Sequence, residues 1–135
     1  MRVTIAVLAD HASTSDGGKL NILGIFSGIM AQTEPIVHPQ MRLVVQFEFN
    51  AAEAGKKEVQ IVLQDEDGGE ILAIDAEMVV PRPPRGELST PNQILVLNNL
   101  TFPKFGRYVF RLLINGRTEA EIPLSVLRAS EPQPA

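Results

Sequence analysis

Apolar residues along this chain alternate with polar ones at every second position, in runs that are rich in Val, Ile and Phe. Alternation of this kind is typical of half-buried β-strands. The pattern predicts nine strands, at Arg2–Asp10, Lys19–Ile25, Gly28–Thr33, Met41–Asn50, Lys56–Gln64, Glu70–Val80, Ile94–Phe102, Arg107–Leu113 and Thr118–Leu127. Because Gly-containing turns separate these short strands, we expect an all-β protein, an antiparallel β-sandwich of about 8–9 strands that is immunoglobulin-like or jelly-roll-like, with no substantial helix.

The alternation also predicts the core. Two neighbouring strands carry an apolar residue at every second position, which places these side chains on one face of each strand. They are Leu43, Val45, Phe47, Phe49, Val59, Ile61 and Leu63. We expect them to meet between two sheets that lie about 10 Å apart. The segment Pro81–Pro91 lacks a backbone N–H at four of its eleven positions, so we expect it to cross between the sheets in an extended conformation.

The last two strands meet at Asn115-Gly116, and the loop length there decides which side chains are buried. A two-residue loop would place Glu119 opposite Leu112 and turn carboxylates toward the core. A three-residue loop, Ile114–Gly116 with a bulge, avoids this burial and is the loop that we predict. The cross-strand pairs that it predicts are Leu112–Thr118, Phe110–Ala120 and Tyr108–Ile122.

Length and composition restrict the class of protein. With 135 residues, 44% of them hydrophobic and 21% charged, we expect one globular domain at 1–128 and a flexible, Pro-containing tail at 129–135. A net charge of −4 without a basic stripe gives no support for nucleic-acid binding. The absence of cysteine excludes disulfides and thiolate-bound zinc. Because no apolar run is long enough for a signal peptide or a membrane span, we expect a cytoplasmic protein that does not bind a membrane.

One short segment collects side chains that are used in hydrolysis. Asp10 and His11 end the first predicted strand and precede Ser13, so an acid, a base and a hydroxyl are close in sequence. Catalysis also requires these groups to converge in space, and Asp or Ser beside a glycine turn more commonly bonds the local backbone. A hydrolase that uses Asp10 and His11 therefore stays an alternative, and we assign no catalytic residue.

Two further groups of residues are candidate metal ligands. The turn at Asp65–Gly69 gathers oxygen ligands of the kind that calcium prefers, but it lacks the spacing and the terminal glutamate of an EF-hand. A solvated hairpin turn is the preferred interpretation, with weak calcium binding at Asp65–Asp67 left open. His11 and His38 have no carboxylates at the spacing of a metal site, and we predict neither a metal nor a cofactor.

The second predicted strand is apolar on both faces. Leu20 and Ile22 lie on one face and Leu23 and Ile25 on the other, so the outer face needs a cover or a partner. In the last strand Pro123 cannot donate to a ladder, which predicts a sheet edge or an interruption there. We predict an interaction surface that consists of Leu20, Ile22, Leu23, Ile25, Phe26 and Pro123.

Several segments together resemble a known group of sequences. The opening segment is Leu8-Ala9-Asp10-His11-Ala12, followed by Asp16-Gly17-Gly18-Lys19-Leu20-Asn21-Ile22-Leu23-Gly24-Ile25-Phe26. The closing segment is Gly106-Arg107-Tyr108-Val109-Phe110, with Ile122-Pro123-Leu124-Ser125-Val126. With these segments the chain resembles an uncharacterised bacterial family of small single-domain proteins, a domain of unknown function. The resemblance covers nearly the whole chain. It implies a bacterial origin and no activity, cofactor or site residue.

These observations favour a non-enzymatic β-sandwich that acts through its surface as a binding or structural module in a protein assembly. Its partner is another protein, and a homodimer is the simplest case. A sandwich that binds a small molecule or a carbohydrate is the alternative. One tyrosine and no tryptophan leave few aromatic platforms for sugars.

Overall fold

The computed structural model describes residues 1–129 and contains nine strands in two sheets. The strands are β1 (Arg2–Ser15), β2 (Lys19–Phe26), β3 (Gly28–Ala31), β4 (Ile36–Glu48), β5 (Gly55–Asp65), β6 (Glu70–Val80), β7 (Asn92–Phe102), β8 (Gly106–Ile114) and β9 (Arg117–Arg128). Sheet A has the order β2-β1-β4-β7, and sheet B the order β3-β9-β8-β5-β6. The predicted all-β sandwich is confirmed.

Helical structure within residues 1–129 is limited to one 3-10 turn at Ala51–Glu53. This turn is closed by a capping box, because Asn50 Oδ1 accepts a hydrogen bond from the Glu53 N–H and Glu53 Oε1 accepts one from the Asn50 N–H. No helix of this part of the chain is long and apolar enough to cross a membrane. The predicted tail at 129–135 lies outside the described residues except for Ala129, whose N–H donates to the Ala31 carbonyl.

One strand pair departs from the predicted antiparallel order. β3 runs parallel to β9, with Gly28 opposite Ser125 and Ala31 opposite Arg128. The cause is the connection between β2 and β3, which leaves sheet A at Phe26 and enters sheet B at Gly28 with one residue between them. The predicted crossing at Pro81–Pro91 is observed, since residues 81–91 connect β6 of sheet B to β7 of sheet A.

β4 begins at Ile36, five residues earlier than the predicted Met41. Ile36 and Met41 are both buried although a regular strand would place them on opposite faces, so β4 changes face near Pro39. Asn99 of β7 has a φ of 50°, and the ladder between β4 and β7 skips Pro39 and Asn99. The irregular backbone of β7 therefore accommodates the proline of β4.

The predicted core lies between the sheets. All seven residues that the alternation selects are buried. Phe102 of sheet A meets Tyr108 of sheet B edge to face, with ring centroids 5.0 Å apart and an interplanar angle of 72°. The Tyr108 hydroxyl donates to the Lys104 carbonyl at 2.7 Å, so the one polar atom of this buried side chain has a partner.

The prediction of a three-residue loop in the last hairpin is wrong. Ile114 pairs with Arg117 across a two-residue turn, and both Asn115 and Gly116 have positive φ, 49° and 81°. A bulge follows the turn, because Leu113 faces Thr118 whereas Leu112 faces Ala120. The observed inner pairs are Leu112–Ala120, Phe110–Ile122 and Tyr108–Leu124. The extra residue in the bulge, not a longer loop, keeps the carboxylates out of the core.

β1 and β2 continue as a two-stranded arm beyond the rest of sheet A. The last residue of β1 that pairs with β4 is Ala9, whereas pairing with β2 continues to Ser15, and we call residues 10–24 the arm. Arg42 on the outer face of sheet A donates to the Asp10 carbonyl at 2.7 Å. Asn92 Nδ2, on the same face at the far edge, lies 3.4 Å from the Gly18 carbonyl at the arm's turn. We infer that the arm folds back across the outer face of sheet A.

The burial of Val44 supports this path of the arm. Val44 alternates with the core residues Leu43 and Val45 and so points away from the core, yet none of its surface is exposed. Along the arm, Leu20 and Ile22 are half-buried, although neither packs against the core cluster between the sheets. The apolar face of the arm that carries these two residues is therefore placed to cover Val44.

Candidate interaction surface

The structure divides the predicted surface between the two faces of β2. Leu20 and Ile22 lie on the half-buried face of the arm, so the fold itself uses them. Leu23 lies on the opposite face of the arm and is 68% exposed, and Ile25, on the other side of the positive-φ Gly24, is 62% exposed. Asn21 shares this second face and is also exposed. We call Asn21, Leu23 and Ile25 the exposed β2 face.

Three of the predicted residues meet at one groove. Ile25, Phe26 and Pro123 line it together with Leu8 and Ile122, where the chain passes from sheet A to sheet B. Phe26 also packs against the core, and its ring lies 5.8 Å from the His38 ring. The apolar groove continues the exposed β2 face through Ile25, whereas Leu23 stands farther along the strand.

Pro123 lies at a free edge of sheet B. The Ser125 N–H donates to the Ser27 carbonyl, on the side where β3 pairs with β9. Pro123, two residues earlier, presents its nitrogen on the same side, but the pairing of β3 begins only at Ser125. The missing N–H therefore removes no hydrogen bond from the sheet, and the predicted edge position of Pro123 is observed.

The candidate hydrolytic residues do not converge. Asp10 and His11 are consecutive in β1, so their side chains point to opposite faces of the arm. The Asp10 carboxylate faces Gly24, where an added Cβ would lie 2.5 Å from Asp10 Oδ2. Among residues 1–129 no hydrogen bond joins Asp10, His11 and Ser13 to one another. The geometry gives the hydrolase alternative no support.

The acidic turn uses its first carboxylate to hold its own backbone. Asp65 Oδ1 accepts hydrogen bonds from the N–H groups of Asp67 at 3.0 Å and Gly69 at 2.7 Å. This arrangement is an Asx-type turn, the interpretation that the sequence favours. Within the described part of the chain, no three His, Asp or Glu side chains are placed to hold a metal ion. Weak calcium binding at Asp65–Asp67 stays a prediction that this geometry does not favour.

A shallow acidic groove on the outer face of sheet B has no counterpart in the sequence analysis. Glu58, Asp75 and Glu77 line it, and Glu58 stands directly opposite Glu77 in the register of β5 and β6. Lys56 Nζ lies 3.0 Å from Glu77 Oε1 and offsets part of the repulsion. The grouping depends on strand register, which the sequence does not show.

The comparisons with known proteins concern the fold. The model of a family of unknown function, DUF6941, matches residues 4–127. The chain is similar to the Pseudomonas fluorescens alkylpurine DNA glycosylase AlkC bound to DNA containing an abasic site analog, with a TM-score of 0.52 and 13% identity. That match covers 95% of this chain but 30% of the glycosylase chain, and identity this low shows a shared fold alone.

A second solved structure matches a smaller part of the chain. It is a glycosyl hydrolase family 2 member from Bacteroides cellulosilyticus, with a TM-score of 0.37 and 14% identity over 67% of this chain and 14% of that one. A score this low carries no argument. No curated protein matches the chain.

Proposed function

Since the chain belongs to a family of unknown function, DUF6941, we propose its function from its own surface: it is a non-enzymatic β-sandwich module that binds another protein through the exposed β2 face. The observation that carries this proposal is the exposure of two large aliphatic side chains close together on one strand, Leu23 at 68% and Ile25 at 62%, on either side of Gly24. Burying a large aliphatic side chain stabilises a complex by about 1.5–3 kcal/mol.

The groove beside this face extends the apolar area. Ile25 belongs to both the exposed β2 face and the groove, and Phe26 and Pro123 also line the groove. A partner that covers Leu23 and Ile25 can therefore place a further apolar side chain against Pro123. Clusters of this kind, with a few large side chains in the middle, contribute most of the affinity of protein interfaces.

The carbohydrate-binding alternative has less support. The single tyrosine, Tyr108, is 5% exposed, and its hydroxyl is bonded to the Lys104 carbonyl. It cannot serve as a platform for a sugar ring. The groove near Pro123 is lined by apolar side chains and offers few of the convergent polar groups by which small-molecule sites fix orientation.

The proposal is tested by site-specific photo-crosslinking in an extract of cells that produce this chain. A benzoylphenylalanine replaces Asn21, which shares the exposed β2 face but leaves Leu23 and Ile25 intact. We expect a discrete adduct from this position and none from a matched label at Val79, which is 73% exposed on the other sheet.

The specificity control places Leu23→Ser and Ile25→Ser together in the chain labelled at Asn21. Both residues are exposed, so the free energy of unfolding should change by no more than about 0.5 kcal/mol for each, as a thermal melt can verify. The adduct should disappear. An adduct that persists unchanged, or equal adducts from Asn21 and Val79, would show that this face is not the binding surface.

A further inference from the structure

The two long free edges of the sandwich differ in their protection. β6, at the edge of sheet B, carries Glu70, Asp75 and Glu77. β7, at the edge of sheet A, has eleven residues, Asn92–Phe102, and neither a charged residue nor a proline among them. Proteins commonly guard edge strands with charges and prolines, because an unguarded edge pairs with other strands. β7 therefore presents an edge that is open to strand pairing.

The backbone groups at this edge can be assigned. The Phe47 N–H donates to the Pro91 carbonyl at 3.0 Å, and Ser89 exchanges two hydrogen bonds with Phe49. Because backbone groups alternate in direction along a strand, Gln93 and Leu95 also face β4. Asn92, Ile94 and Val96 alternate with these residues, so their N–H and C=O groups face away from the sheet. Among the backbone bonds of residues 1–129, none joins these outward groups to another segment.

We infer that β7 pairs antiparallel with β7 of a second copy of this chain and joins two copies of sheet A into one continuous sheet. The inference rests on the proposed role as a binding module, and it names a second surface and that surface's partner. The absence of charge on β7 makes the strand compatible with a second copy of itself, which favours that partner. β7 can oppose itself without placing like charges together, whereas β6 paired with itself would bring its carboxylates close to one another.

The geometry of β7 also sets the register of the pair. The regular part of the strand runs from Asn92 to Asn98, between Pro91 and the positive-φ residue Asn99. A two-fold axis at its centre, Leu95, places Ile94 opposite Val96 of the second copy, so their outward backbone groups exchange hydrogen bonds. Val96 is 43% exposed and shares the outer face with Ile94, so the pair also buries apolar surface.

The absence of cysteine from this chain allows a direct test by disulfide trapping. In the inferred register Leu95 opposes its own counterpart in a non-hydrogen-bonded pair, with Cα atoms about 4.5 Å apart, a distance that a disulfide spans. Gln93 is half-buried on the same face of β7, but its counterpart is displaced by about 13 Å along the strand. With oxidised glutathione as oxidant, we expect Leu95→Cys to form a covalent dimer at least about tenfold faster than Gln93→Cys.

A second measurement does not depend on the folding of a core-facing variant. Light scattering coupled to size exclusion should show the mass of the unmodified chain rising from 14.7 kDa toward twice that value with concentration. Val96→Lys places a charge at the edge and should abolish the rise, while Val79→Lys on β6 should not. Equal trapping rates for Leu95→Cys and Gln93→Cys, or a mass of 14.7 kDa at every concentration, would overturn the β7 pairing. Failure of the β7 pairing would leave the photo-crosslinked adduct from the label at Asn21 unaffected. A trapped dimer without that adduct would reject binding through the exposed β2 face and leave the β7 pairing standing.

Discussion

At the residue scale, a single hydroxyl links the core to the turn before β8. The Tyr108 hydroxyl donates to the Lys104 carbonyl at 2.7 Å and accepts from the Lys104 N–H at 3.3 Å. Tyr108→Phe keeps the ring against Phe102 and leaves these two backbone groups without their partner. We expect the free energy of unfolding to fall by about 1–2 kcal/mol in urea denaturation. An unchanged unfolding midpoint would show that water replaces the hydroxyl without cost.

Glu53 provides a pH-dependent contribution to stability. The amino-terminal ammonium lies 2.6 Å from Glu53 Oε2, and this bond, followed by the hydrogen bond from the Asn50 N–H, lowers the pKa of the carboxyl. A lowered pKa in the folded state stabilises the fold above the ordinary glutamate pKa of about 4.3, and the effect is lost as the pH falls through the lower, folded value. Glu53→Gln should therefore lower the melting temperature at pH 7, and the difference should vanish in acid.

The matched control for this pH dependence is Glu87→Gln, on the exposed segment between β6 and β7. It should leave the melting curves unchanged at both pH values. A deficit of Glu53→Gln that is as large in acid as at pH 7 would assign the effect to packing instead of ionisation.

At the element scale, the arm depends on Gly24 at its base. Gly24 and Gly17 both have positive φ, 73° and 82°, so alanine is strained at either position. Only at Gly24 would the new Cβ collide, at 2.5 Å from Asp10 Oδ2 and 3.0 Å from Asp10 Cβ. Gly24→Ala should therefore cost about 1–3 kcal/mol more than Gly17→Ala in urea denaturation and should speed amide exchange across the arm. Equal costs for the two variants would contradict this role of Gly24.

The elements that the sequence predicts well are those whose signal is local. The alternation of Leu43, Val45 and Phe47 predicts both the strand and its buried face. The bulge after Asn115-Gly116 could not be read in this way, because an unpaired residue in a strand has no composition of its own. Val44, an apolar residue between Arg42 and Gln46 on the face expected to meet water, is the one local signal that this face is covered.

At the scale of the whole molecule, the missing information is long-range. The arm's turn meets Asn92, 74 positions away in sequence, and no spacing within either segment indicates this contact. The candidate surface depends on the same fold. The sequence predicts that β2 has two apolar faces, but only the folded arm shows that Leu20 and Ile22 are half-buried while Leu23 and Ile25 are exposed.

The open edge of β7 also depends on the fold of the whole molecule. Its composition, without charge or proline, is visible in the sequence. Its position at the end of sheet A is not, since strand order follows from pairing between distant segments. The proposed β2 binding and the inferred β7 pairing use separate surfaces, and together they would allow a paired module to hold two copies of a partner.

The central claim is that the exposed β2 face binds one partner specifically, and competition tests it most directly. The yield of the adduct from the chain labelled at Asn21 is measured while unlabelled chain is added in increasing excess. The yield should fall toward zero with the wild-type competitor and stay constant with a competitor that carries Leu23→Ser and Ile25→Ser. A yield that both competitors reduce equally, or that neither reduces, would contradict binding through this face.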